Sequence, residues 1–161
     1  MTAHIIDGKA LATQLRADFA RKTAQLARDG LIPSLAVVIA GDDPASLVYV
    51  HSKGDACVEA GMRSPLVHLP GDVIEAELLA RIDALNRDEQ VHGVLVQLPL
   101  PPHIDTNRVI NAIRPDKDVD GLHPHNMGRL ALGMPGPTPC TPAGIEAILA
   151  HYEIPVQGRN V

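Results

Sequence analysis

Apolar positions change their period repeatedly along this chain. Ala10, Leu11, Leu15, Phe19 and Leu26 recur at helical spacing, and Gly30 with Pro33 supplies the stop. Leu35 to Ala40 is an unbroken apolar run of buried-strand length. Asp43 before Pro44 makes an N-cap and first-turn pair for a second helix that ends near Gly61. Leu66 to Leu69 reads as a weaker strand. Ile74 to Leu85 reads as a helix with Leu78, Leu79, Ile82 and Leu85 on one side, and Gly93 to Leu98 as a second strongly buried strand. Strands alternating with helices predict an α/β layered fold with a mainly parallel sheet.

The texture changes after Leu98. Pro99, Pro101, Pro102, Pro115, Pro124, Pro135, Pro137, Pro139 and Pro142 punctuate a stretch with room for few regular elements. A short helix is predicted over Asn107 to Ile113. A clearer one runs from Thr141-Pro142 to about Tyr152, with Ile145, Ile148 and Leu149 inward. Val156 to Val161 then reads as the strand-like start of a further unit.

Composition narrows the function classes. At 161 residues the chain is one domain by length, with 45% hydrophobic and 20% charged residues. Two Tyr, one Phe and no Trp make the core aliphatic, so an aromatic ring in a cleft would stand out. A net charge of −5 with no basic stripe gives no footprint for nucleic acid. Cys57 and Cys140 lack metal or redox spacing and read as small buried hydrophobes of a reducing compartment. Met1 to Asp7 lacks the pattern of a signal peptide, and no stretch approaches the roughly eighteen apolar residues of a membrane span. The expectation is a cytoplasmic protein with no membrane partner.

Tyr49-Val50-His51-Ser52-Lys53 is the stretch richest in chemistry. It sets a ring and an amine four residues apart on one helix, hence on one face. That pair suits a planar substrate reacting at its edge; the plainer alternative is an exposed helix face with a solvated Lys. Gln97 lies at the carboxyl end of the buried strand, where ligands bind in open parallel sheets. Asp116, Asp118 and Asp120 crowd one loop before Gly121. A metal site, solvated loop charge, and a single Asp anchoring a ligand's N–H donors all remain open there. His123-Pro124-His125 reads as capping and loop hydrogen bonding rather than zinc ligation, and no metal is expected. No Ser or Cys nucleophile motif and no phosphate-cradling glycine loop is present.

Pro44-Ala45-Ser46, Tyr49 to Lys53, Gly93 to Pro101, Pro115 to Gly121, Gly128-Arg129-Leu130 and Pro139 to Pro142 occur in that order. Together with Ile5 to Gly8 and Gly158 to Val161 they resemble the conserved blocks of the bifunctional methylenetetrahydrofolate dehydrogenase/methenyltetrahydrofolate cyclohydrolase family. The resemblance implies a three-layer αβα catalytic domain of the amino-acid-dehydrogenase-like type. It implies that Lys53 is the catalytic lysine, with Gln97 contacting it and positioning the one-carbon unit. Tyr49 would stack on the pterin, Asp120 would hold its amino-pyrimidine edge, and Val50, His51, Ser52, Val96 and Leu98 would complete the substrate site.

The implied reactions are oxidation of 5,10-methylenetetrahydrofolate with NADP or NAD and hydrolysis to 10-formyltetrahydrofolate, feeding purine, methionine and histidine biosynthesis. Asp55 stands where the family often has a second lysine, and unless it points away its carboxylate would favour the charged amine of Lys53. Gly54 weakens the same helix. By the same resemblance residues 1–154 form the folate-binding domain and 155–161 begin a missing NAD(P)-binding domain, so no cofactor-binding residue is expected here. A piece of this kind should lack dehydrogenase activity and have impaired cyclohydrolase activity, whereas the whole protein would be a homodimer. A non-catalytic folate-binding module and a flavodoxin-like regulatory domain are the competing expectations.

Overall fold

The computed structural model describes residues 5–159. The elements are α1 (Gly8–Arg28), β1 (Leu35–Ala40), α2 (Pro44–Glu59), β2 (Leu66–Leu69), α3 (Glu75–Arg87), β3 (Gly93–Val96), α4 (Thr106–Ala112), α5 (Pro124–Ala131) and α6 (Cys140–His151). The strands form one all-parallel sheet in the order β2-β1-β3, with Val37 opposite Leu66 and Val38 opposite Val96. A parallel strand between two neighbours is covered on both faces, which explains the continuous apolar run of β1.

Alternation along β1 sets the layers. Ala36, Val38 and Ala40 face one side, packing with Leu78 and Ile82 of α3, Val109 of α4, and Val94 and Val96 of β3. Val37 and Ile39 face the other, against Val50 of α2 and Leu95 of β3. Helix α1 lies against α2 and α6 outside this smaller cluster. The α/β expectation holds, with helices on both faces of a parallel sheet.

Local chemistry sets the ends of α2. Asp43 Oδ1 accepts a hydrogen bond from Ser46 N at 2.7 Å, and Pro44 takes the first turn. At the far end Gly61, at φ +73°, closes the helix with Gly61 N–Val58 O and Met62 N–Cys57 O bonds of 2.9 Å each. That is the paired C-terminal closure a left-handed residue allows.

Several expectations are corrected. Strand β3 ends at Val96, although Gln97 N extends the ladder by one bond to Val38 O at 2.8 Å. Helix α5 falls in the proline-rich stretch after Leu98, between the two helices expected there, where the pattern predicts none. Its Pro124 sits in the first turn, where a missing N–H costs nothing. Ile145 is 53% exposed rather than inward, and Ala10, Phe19 and Leu26 of α1 are exposed too. Cys57 is half-buried and Cys140 exposed, so neither is a core residue. Val156 to Arg159 forms a turn closed by Arg159 N–Val156 O, not a strand; Asn160 and Val161 lie outside the described residues.

Candidate active site

Helical spacing turns one face of α2 toward a cleft. Tyr49 and Lys53 are joined there by Ala56 and Cys57, one further turn along. The Lys53 Nζ lies 4.5 Å from the centre of the Tyr49 ring. Val50 points beneath the helix into the core. His51 and Ser52 line a separate surface hollow with Asp55, Glu59 and Arg16, so the structure does not bring them into the cleft. They were carried along by adjacency in sequence, whereas side-chain direction follows the helical turn. Asp55 shares that outer hollow and points away from Lys53.

The opposite wall is the carboxyl end of β3. Val96, Gln97 and Leu98 line the same cleft, with a volume of about 670 Å³. Gln97 Oε1 accepts from Lys53 Nζ at 3.5 Å, and Gln97 Nε2 donates to Leu98 O at 2.6 Å. The second bond fixes which end of the amide faces the amine.

The three carboxylates of the 116–120 loop part company. Asp116 pairs with Arg114 at 2.5 Å on the surface, and that hydrogen bond holds its carboxyl below the ordinary range. Asp118 is buried, accepting from His123 N and Asn126 Nδ2 at 2.9 Å each. Asp120 alone reaches the cleft. No group of three metal-ligating side chains occurs among the described residues. His123 caps α5, its Nδ1 accepting from His125 N at 3.0 Å.

Leu35, Leu95, Val119, Leu122, Pro139, Cys140 and Thr141 complete the lining and are not among the expected site residues. Ala56 and Cys57 were findable, because they repeat the Tyr49–Lys53 spacing; the others come from segments joined only by the fold. Burial pushes the Cys57 thiol up. It does the same for Cys140, where the neighbouring Asp120 carboxylate adds to the effect and Lys53 opposes it. The cleft thus offers a flat ring, a movable amine with an amide partner, and a carboxylate on the far side. A planar heterocycle with N–H donors on one edge and an electrophilic carbon on another fits that arrangement.

Residues 6–120 match the family model described as tetrahydrofolate dehydrogenase/cyclohydrolase, catalytic domain. The "Bifunctional protein FolD" of Paraburkholderia xenovorans is 58% identical over 160 residues, covering 99% of this chain and 56% of that protein. The solved bifunctional FolD dehydrogenase/cyclohydrolase of Campylobacter jejuni superposes with a TM-score of 0.92 at 46% identity, covering 94% of this chain and 54% of that one. The Trypanosoma brucei enzyme, solved with NADP cofactor and inhibitor, has a TM-score of 0.94 at 35% identity, covering 99% and 55%. The chain spans about half the length of the relatives it matches. It belongs to the tetrahydrofolate dehydrogenase/cyclohydrolase family.

Proposed function

We propose that this chain is the folate-binding catalytic half of an enzyme of one-carbon metabolism. The whole enzyme oxidises 5,10-methylenetetrahydrofolate with NADP or NAD and hydrolyses the methenyl product to 10-formyltetrahydrofolate. The observation that carries this reading is the meeting of Lys53, Gln97, Tyr49 and Asp120 around one cleft. Tyr49 stacks on the pterin, and Asp120 accepts a pair of hydrogen bonds from its amino-pyrimidine edge. Val96 and Leu98 form the apolar wall beside the one-carbon unit.

The methenyl carbon is a stabilised cation. Water adds to it, a C–O bond forms, and one of the water's protons leaves; the other passes to the ring nitrogen as its C–N bond breaks and the C=O of the formyl group forms. Lys53 takes the proton directly or through a second water, and Gln97 aims it. His51 and Ser52 support this site only through the helix that they share with Lys53.

The residues described here do not fit a dinucleotide. The turn after β1, Gly41-Asp42-Asp43-Pro44, offers two carboxylates and a proline nitrogen to an approaching pyrophosphate, which needs N–H donors and positive potential. No step of the oxidation is assigned to them. In this reading residues 1–154 are the folate-binding domain and residues 155–161 lead into a nucleotide-binding domain. The whole protein is then a cytoplasmic homodimer serving purine, methionine and histidine biosynthesis.

The test is methenyltetrahydrofolate hydrolysis followed by absorbance. Lys53→Met is expected to lower the rate by about a hundredfold or more, the usual contribution of a proton-transfer group. Equal rates for wild type and variant would overturn the catalytic reading and leave a binding module.

A further inference from the structure

Asp118 and Asn126 are each only 2% exposed, and neither reaches the cleft. Burying a carboxylate is costly, and apolar side chains often replace such groups without loss of stability. Among the described residues the carboxylate forms no ion pair with a cationic side chain. The adjacent Lys117 sends its Nζ the other way, to Leu85 O at 3.0 Å and Asp88 O at 2.8 Å at the end of α3. Asp118 instead accepts from His123 N and Asn126 Nδ2, and the same Asn126 nitrogen donates to Pro115 O at 2.8 Å. One amide and one carboxylate therefore tie the start of the loop, its middle and the first turn of α5 together.

The main chain is fixed at the same place. Val94 N donates to Lys117 O at 2.7 Å, and Asp118 bridges to Val94 beside β3. Gly121 N donates to Asp118 O at 3.4 Å. Asp120 sits between these anchors, so its carboxylate can reach the cleft only from where Asp118 leaves it.

We propose that Asp118 and Asn126 are positioning residues for the substrate: a buried carboxylate–amide clamp that sets the Asp120 carboxylate against the pterin edge. The inference rests on the folate reading of the cleft and names residues that would act through Asp120 without touching ligand.

Tetrahydrofolate binding by calorimetry on wild type, Asp118→Asn, Asn126→Ala and Asp120→Ala tests it, with melting temperatures measured in parallel. Asp118→Asn and Asn126→Ala are each expected to weaken binding by roughly tenfold, about the worth of one well-placed hydrogen bond to a charged group. Combining either with Asp120→Ala should add little further loss, because all act on one contact. A purely structural role lowers the melting temperature, leaves the affinity of the folded protein unchanged, and overturns the clamp. Losses that add in full to that of Asp120→Ala overturn it too. Wild-type binding by Asp120→Ala itself removes the pterin contact and the clamp together, whereas loss there with wild-type binding by the other two removes the clamp alone. If Asp118→Asn fails to fold, Asn126→Ala decides, since it leaves the carboxylate in place.

Discussion

Gly121 follows the carboxylate that faces the cleft, at φ +65°, and a Cβ on it would lie 2.9 Å from the Thr138 carbonyl carbon. Backbone conformation and space therefore both disfavour any other residue. Gly121→Ala is expected to destabilise the fold by about 1–3 kcal/mol, read from thermal or urea unfolding. At this scale the sequence was legible where chemistry and spacing agreed. Tyr49 and Lys53 lie one helical turn apart, and the structure sets both in the cleft. Spacing leaves Asp120 one of three loop carboxylates and only the family resemblance singles it out; packing shows that Asp116 turns to Arg114 and Asp118 turns inward.

Helix α2 carries Lys53 yet contains Gly54, whose Cβ would meet nothing nearer than Ser64 Oγ at 4.0 Å. Gly54→Ala should therefore stabilise the protein by about 1 kcal/mol. At this chain length that is a rise of about 2–4 °C in melting temperature by calorimetry. An unchanged or lowered melting temperature would show that the extra methyl is not accommodated. Elements with a clean period were readable: α3 follows its Leu78–Ile82 stripe, and β1 its apolar run. Helix α5 was not, because Pro124 was read as a breaker although it occupies the one helical position that tolerates it. Helix α6 was legible as a helix but not in its facing. None of its residues is buried, so apolar content alone pointed Ile145 the wrong way.

Across the whole molecule the two faces of the sheet are unequal: the α3–α4 side holds the larger cluster, and the cleft opens on the thinner α2 side. Its walls come from α2, β3, the loop after Asp118 and the start of α6, segments that only the parallel topology brings together. No period or local motif joins Leu35 to Leu122 or Thr141, which is why half of the lining could not be read in advance. Two of those walls carry a thiol, Cys57 from α2 and Cys140 from α6. Burial raises both thiols above the ordinary cysteine range, which favours the protonated form of each. Alkylation by iodoacetamide should accordingly be slower at neutral pH than for a free, exposed thiol such as glutathione and accelerate as the pH rises, because the thiolate is the reacting form. On the proposed folate reading, bound tetrahydrofolate shields both sulfurs, and equal labelling with and without it would place the ligand elsewhere. Occupancy of the cleft can thus be weighed by mass spectrometry, the protected chain staying lighter than the labelled one even in a variant that no longer turns substrate over.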